Sequence, residues 1–190
     1  MASAASSVMV LSLECMTVRW KRCAWPPAGG RRKRGTQRQG FGRSRGGFTS
    51  KVYLLGDACG RPLAFHLTGG ETHDSRAYDT LIDLPEGTPK APLGDKAYDS
   101  DRIRADLKRR RIRAVIPPRS NRTRAIRWNR RLYRLRSRIE CRIGHLKANR
   151  GLATRYDKLA DSFLGMLHLG AAKIWLKFVH GASNVVPHCI

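Results

Sequence analysis

Acidic residues are scarce in this chain, in which 14 Asp and Glu stand against 38 Lys and Arg. The formal net charge is +24 over 190 residues, with an isoelectric point near 11.2, which is far more charge than solubility requires. This imbalance excludes the class of acidic, solvating tails and predicts a polyanionic partner. The hydrophobic fraction of 41% is enough for one globular domain with a core of its own.

Paired cysteines and long apolar runs are also missing. The five cysteines are scattered, and no C-x-x-C pair occurs, so the sequence indicates neither a disulfide framework nor a zinc site and favours a reducing compartment. The N-terminal residues lack the basic start of a signal peptide. The most apolar stretch, residues 163–179, contains His168, Lys173 and Lys177, and it is predicted to be a buried core helix rather than a membrane span.

Apolar runs and turn signals predict a mixed α/β domain. Residues 21–47 combine Gly, Pro and basic residues and are predicted to be a loop or a partly disordered arm. Ser100 is placed to cap the helix that follows it. The predicted order suits a mixed sheet flanked by helices. Strands are expected at 8–18, 51–58, 62–69, 91–94 and 114–118, and helices at about 75–81, 101–111, 126–149 and 158–179.

One acid, Glu140, lies inside the arginine-rich stretch LYRLRSRIECRIGHLK of residues 132–147. Helical phase places Glu140 on a strip about 60° wide beside the apolar stripe of this segment. The acid is therefore expected at the edge of the core, where a strand could present a second carboxylate to it. An ordinary ion pair on a solvated basic helix is the alternative. The apolar stripe is Trp128, Leu132, Leu135, Ile139, Ile143 and Leu146, and the strip is Tyr133, Arg136, Glu140 and Lys147.

The strip residues match, without gaps, the Y-R-E-K signature of bacterial insertion-sequence DDE transposases, which this chain resembles from about residue 40 to 179. The segments 42–75, 94–100, 116–121 and 150–165 also resemble blocks of that family. The resemblance implies an α/β, ribonuclease-H-like catalytic domain. Its first strand would lie within residues 1–20, the basic loop at 21–47, the remainder of the domain at 48–180 and a tail at 181–190.

The resemblance also implies a site for two Mg²⁺ or Mn²⁺ ions. With these ions bound, the enzyme would cleave and transfer DNA strands during transposition. The resemblance assigns the second acid to Asp95 and the third to Glu140, while Glu14 stands where the family has its first aspartate. The extra methylene of Glu14 would displace a ligand in a site of narrow tolerance, so reduced activity is expected. Asp57 is the nearby acid that could replace Glu14.

Each of these acids also has a structural interpretation. Asp95 could form an ion pair with Lys96 or a nearby arginine. Asp99 is expected to cap a loop rather than bind metal, and His73 and Asp74 suit a turn as well as a site. A non-catalytic, basic nucleic-acid-binding protein, such as a decayed transposase, is therefore the alternative function. Such a binder has no need for Asp95 and Glu140 at a shared edge.

The implied partner is double-stranded DNA, both the transposon ends and the target. No association with a membrane is expected. Residues 101–150 contain 17 Arg and 2 Lys against 3 acids, a density that predicts phosphate contacts. Arg136 and Lys147 are expected to lie nearest the scissile phosphate, and Tyr133 is expected to stack on a flipped base. The basic arm, which includes Arg43, Arg45 and the RRKR run of residues 31–34, is expected to contact DNA.

The remaining expectations concern assembly and place. A homodimer is expected once the chain is assembled on DNA. Only 13 residues precede Glu14, so an upstream-encoded DNA-binding polypeptide is expected to recognise the terminal repeats. The expected location is the cytoplasm, in association with the nucleoid.

Overall fold

The computed structural model describes residues 10–20, 40–44, 47–84, 89, 91–123 and 126–181. The side chains of residues 10–14, 20, 43, 44 and 181 are outside this description. The RRKR run, Arg45, most of the predicted 21–47 loop and almost all of the predicted tail therefore lie outside the described residues, and so do the side chains of Glu14 and Arg43.

The described strands form one mixed sheet. Strand β3 pairs antiparallel with β1 on one side and with β2 and β4 on the other, while β5 and β6 pair parallel with β1. Val115 adds a parallel bridge to Leu93 beyond β5. The strands are β1 (Val10–Trp20), β2 (Gly42–Ser44), β3 (Gly47–Gly56), β4 (Pro62–Gly69), β5 (Ala91–Leu93) and β6 (Thr154–Arg155).

Helices flank this sheet, which confirms the predicted fold class, and the arrangement is consistent with a ribonuclease-H-like fold. The predicted cap is present, because Ser100 Oγ accepts a hydrogen bond from the Ile103 backbone N–H at 3.3 Å. The helices are α1 (Asp74–Asp83), α2 (Asp101–Arg109), α3 (Arg130–Tyr133), α4 (Arg136–Lys147), α5 (Arg150–Ala153) and α6 (Ala160–Gly181), with a 3-10 turn at Lys96–Tyr98.

Alternation along β3 divides the core between the two faces of the sheet. Tyr53 and Leu55 pack with buried residues of α1 and α2. Val52 and Leu54 pack on the opposite face with buried residues of β1, α4, α5 and α6. A third cluster joins Ala91, Leu93 and Val115 to the segment that contains α3.

The single helix predicted over 126–149 is wrong, because α3 and α4 are separated by a turn at Arg134 and Leu135. The apolar stripe of this segment serves two different clusters. Leu132 and Leu135 pack beside β5, whereas Ile139 and its successors pack against β1 and β3. The chain has to change direction between them to bury both sets.

Two further predictions need correction. The strand expected at 114–118 is reduced to the bridge at Val115, because Pro117 and Pro118 have no N–H to donate. The helix predicted to be buried is α6, and it buries only one face: Phe163 is fully buried, whereas the side chain of Leu169 is 67% exposed. No helix in the described part of the chain is long and apolar enough to cross a membrane.

Candidate active site

Asp95 lies where the chain leaves the sheet, one residue after the Gly94 that follows β5. It is partly exposed, and its Oδ1 accepts a hydrogen bond from the Ala97 N–H at 2.7 Å, which caps the 3-10 turn. In the parallel pairing of β1 with β5, Ser12 lies opposite Leu93. Glu14 and Asp95 each follow this pair by two residues, Glu14 within β1 and Asp95 just beyond the end of β5.

Glu140 is linked to two other residues of its signature. Its Oε1 lies 3.2 Å from Arg136 Nη1, one helical turn earlier, and the same nitrogen donates to Tyr133 Oη at 2.8 Å. The Arg136 guanidinium also lies over the Tyr133 ring, 5.6 Å from its centre. Lys147 is exposed in the last turn of α4. An i,i+4 ion pair is present, as the alternative interpretation expected, but such a pair alone contributes only about 0.5 kcal/mol.

The β3–β4 turn holds the start of α4 against the end of the sheet. Arg138 Nη1 donates to the Ala58 carbonyl at 2.8 Å. Gly60 has a φ of +76°, and a Cβ there would lie 2.8 Å from the Arg138 carbonyl oxygen, so only glycine allows this approach. Tyr133 and Leu135 pack against the cluster that contains Leu93. The segment that carries Glu140 is thus fixed to β5, which ends two residues before Asp95.

Asp57 is not a replacement for Glu14, because its carboxylate closes the β3–β4 turn. Its Oδ1 accepts from the Cys59 N–H at 2.9 Å and the Arg61 N–H at 2.8 Å, and its Oδ2 pairs with the Arg61 side chain at 2.5 Å. Both oxygens are therefore committed to holding the turn in place.

His73 and Asp74 likewise have structural roles at the start of α1. His73 Nδ1 accepts from the Ser75 N–H at 3.2 Å and so caps the helix. Asp74 pairs with Lys51 at 2.9 Å and accepts from Tyr53 Oη at 3.0 Å. These contacts join α1 to β3, as the turn interpretation expected.

Asp99 is buried and holds together the segment that follows the site. Its oxygens accept from Arg104 Nε and Arg122 Nε, both at 2.6 Å, and from the Arg119 N–H at 2.7 Å. Burial raises the pKa of the Asp99 carboxyl, but the hydrogen bonds from Arg122, Arg119 and Arg104 outweigh it and bring the pKa to about 2. This residue ties a loop together, in agreement with the sequence interpretation.

The arginines fall into two groups. On α2, Arg102 pairs with Asp79 at 2.8 Å, and Arg110, which caps the end of that helix, pairs with Asp83 at 2.6 Å. Near α3 and α4, in contrast, several exposed basic side chains form no ion pair with any described residue. Six of these side chains flank α3 and α4, and others, such as Lys96, Arg111 and Arg113, lie elsewhere. The six are Arg127, Arg130, Arg131, Arg134, Lys147 and Arg150.

Arg155 is a central residue that the sequence did not single out. It is fully buried, its Nη1 donates to Ser50 Oγ at 2.7 Å, and its guanidinium lies 3.9 Å from the centre of the Phe41 ring. Burial lowers the pKa of Arg155 to about 10, so the group remains charged at neutral pH. Its one sequence signal was its position within the family-like block 150–165.

Asp95 and Glu140, the two predicted ligands whose side chains the structure describes, have the carboxylate oxygens that a hard divalent cation prefers. Asp95 Oδ2 and Glu140 Oε2 accept no hydrogen bond from the described residues, so each carboxylate has an oxygen for a cation. The described part of the chain contains no group of three His, Cys, Asp or Glu that could hold a metal ion. Since the Glu14 side chain lies outside that part, this finding does not cover the expected trio.

Comparison with known proteins agrees with the arrangement. Residues 93–177 match a family model described as a transposase DDE domain, a range that includes Asp95 and Glu140 but not Glu14. The chain is 36% identical over 133 residues to a Brucella ovis protein provisionally named as the transposase for insertion sequence element IS6501, covering 68% of this chain and 99% of that protein. It is 32% identical over 135 residues to a Burkholderia cepacia protein provisionally named as the transposase for element IS402.

The second alignment covers 66% of this chain and 62% of the Burkholderia protein, so the chain spans less than two thirds of that relative. The first alignment covers almost the whole of the Brucella protein, and the family model includes the segment of the Y-R-E-K signature. The chain therefore belongs to the insertion-sequence DDE transposases.

Proposed function

We propose that this chain catalyses metal-dependent cleavage and transfer of double-stranded DNA during transposition of an insertion sequence. The observation that carries the proposal is the meeting of three segments at one end of the sheet. Glu14 and Asp95 each follow, by two residues, the last paired residues of β1 and β5, and the segment bearing Glu140 packs against β5.

Glu14, Asp95 and Glu140 would hold two Mg²⁺ or Mn²⁺ ions. When bound, such a pair of ions activates the attacking oxygen and stabilises the leaving oxygen of a phosphodiester displacement. Arg136 is placed to bind the phosphate beside them, because Glu140 and Tyr133 hold its guanidinium at the site. A phosphate that takes over Arg136 would release a Glu140 oxygen towards a cation.

The DNA would lie along α3 and α4, where several exposed arginines form no ion pair with a described residue. Tyr133 forms an edge-to-face pair with Trp128, their ring centres 4.9 Å apart, which offers an aromatic surface to an unpaired base. Arg43 and Arg45 would add contacts from the basic arm. An upstream-encoded polypeptide would supply recognition of the terminal repeats.

A cleavage assay tests this function. The full chain, with the upstream polypeptide, is incubated with duplex carrying the element's ends in Mg²⁺ or Mn²⁺. Asp95→Asn and Glu140→Gln should each lower cleavage by roughly a hundredfold or more, since the ions supply several kcal/mol of charge stabilisation, and should leave DNA binding intact. Asp161→Asn, an exposed acid on α6, is the matched control and should match the parent.

Two results would overturn the proposal. Cleavage that persists in both acid variants would place the chemistry elsewhere. A parent chain that binds DNA but never cleaves it under any of these conditions would favour the non-catalytic binder, for which the glutamate at position 14 is the supporting observation.

A further inference from the structure

Helix α6 carries a second apolar stripe on the side opposite its core face. The core face is Phe163, Leu167, Ala171 and Ile174, all buried. The opposite stripe recurs at spacings of three, four, three, four and three residues, which is the seam of a helix that pairs with another helix. All six of its residues are exposed, and they are Ser162, Gly165, Leu169, Ala172, Leu176 and Val179.

The large members of this stripe are solvated to an unusual degree. Leu169 is 67% exposed, Leu176 is 57% exposed and Val179 is 65% exposed. Outside the backbone of α6 itself, a Cβ built on Gly165 would meet no described residue within 4 Å. The described part of the chain therefore leaves the whole stripe open along about five turns of helix.

The sequence of the stripe is complementary to itself in the antiparallel sense. A two-fold axis between positions 170 and 171 places Gly165 opposite Leu176, Leu169 opposite Ala172, and Ser162 opposite Val179. Each large side chain then meets a small one, which is how facing helix surfaces interdigitate. A parallel pair would instead set leucine against leucine and glycine against glycine, with alternating clashes and gaps.

Charge favours a second copy of the chain over DNA as the occupant. Helix α6 contains only Lys173, Lys177 and Asp161 as formally charged side chains, in a molecule of net charge +24. Interface centres are depleted in charged residues, whereas a DNA-binding surface of this protein would be rich in arginine. The helix is thus a surface of low charge on a strongly basic chain, where two copies can approach with little repulsion.

We propose that two copies of this chain associate through an antiparallel pair of α6 helices. This pairing deepens the proposed function. It rests on that function only in one respect, namely that a dimer would serve to hold two DNA ends. A single helix pair buries less than the roughly 800 Å² per partner of a standard interface, so the dimer is weak and reversible without DNA.

Sedimentation equilibrium of the full chain without DNA tests the pairing. Gly165→Leu should raise the dimer dissociation constant by about tenfold or more, because the new side chain meets the partner's Leu176 in an already filled space. Adding Leu176→Ala to that variant should restore association, since it exchanges the large and small positions. Gly144→Leu on α4 is the matched control and should match the parent, because that helical glycine is equally open.

Two results would overturn the pairing. The first is a parent chain that stays monomeric up to about 100 μM. The second is a Gly165→Leu variant, folded by circular dichroism, that associates as well as the parent or better. Neither result depends on DNA cleavage, so failure of the dimer and failure of the proposed activity are distinguishable.

Discussion

At the scale of single residues, the acids of this chain differ in how much of their hydrogen-bonding capacity is already used. Asp57 and Asp99 spend both oxygens on turns and arginines. Asp95 and Glu140 each keep one oxygen that accepts nothing from the described residues. A carboxylate with a free oxygen can accept a cation, whereas one that closes a loop cannot do so without opening it.

Asp99 gives a prediction about pH. Its pKa is about 2 in the folded chain against a usual 3.8, so it stabilises the fold at neutral pH and that contribution is lost as pH falls from about 4 to about 2. The loss should be about 2 kcal/mol. In Asp99→Asn, urea unfolding at several pH values should show a less stable protein at pH 7 and a smaller decrease below pH 4. An unchanged decrease would contradict the assignment.

Arg155 gives a prediction about stability. Its guanidinium donates to Ser50 Oγ and to the carbonyls of Asp157 and Lys158, a planar set of contacts that an ammonium cannot reproduce. Arg155→Lys should lower the free energy of unfolding by about 2–4 kcal/mol, as measured by urea denaturation. Lys158→Arg, on an exposed side chain nearby, is the control and should change it by less than about 0.5 kcal/mol. A loss below about 1 kcal/mol in Arg155→Lys would show that the guanidinium contacts of Arg155 contribute little to stability.

The sequence was sufficient to predict which residues belong to the candidate site, but not which residues they contact. Spacing identified Tyr133, Arg136 and Glu140 as a set, and the structure brings these three side chains together. The structural role of Asp99 depends on partners that include Arg122, which is 23 residues away in the sequence. Periodicity carries no information about such partners, and it could not reveal that Arg155 is buried.

At the scale of elements, the β3–β4 turn positions the helix that carries Glu140. Gly60→Ala should lower the melting temperature and reduce cleavage, because its Cβ would strike the backbone of Arg138 and displace α4. Gly47→Ala is the matched control, since Gly47 also has a positive φ, +103°, but apart from its chain neighbours no described residue comes within 4 Å of its Cβ position. Thermal unfolding and the cleavage assay should therefore show a larger loss for Gly60→Ala. Equal losses would mean that strained φ alone is responsible.

The sequence predicted those helices, strands and caps that depend on interactions between residues close together in the chain. The hairpin of β3 and β4 and the cap at Ser100 follow from residues adjacent in sequence. The break between α3 and α4 and the exposed face of α6 could not be predicted in the same way. Both depend on which distant cluster each apolar side chain reaches, and an apolar stripe looks the same whether it faces a core or another molecule.

At the scale of the whole molecule, the net charge overstates the charge that DNA can use, because α2 arginines are paired with acids. Arg131→Ala with Arg134→Ala should reduce the slope of log affinity against log salt by about 2, since each free arginine neutralises about one phosphate. Arg102→Ala with Arg110→Ala, on paired arginines, should reduce it much less. Titration of labelled random duplex at several salt concentrations measures both. Equal changes in the two variants would show that ion pairing does not select the DNA-binding surface.

If Glu14, Asp95 and Glu140 act as one metal site, replacing Glu14 by the shorter aspartate should improve the geometry of that site. Strand cleavage of the element's ends is measured in Mn²⁺, with the upstream polypeptide present, for the parent, for Glu14→Asp and for Glu14→Asp combined with Glu140→Gln. Glu14→Asp should give more product at unchanged DNA affinity, and the combined variant should lose that gain. No gain from Glu14→Asp, or a gain that survives Glu140→Gln, would contradict a shared metal site.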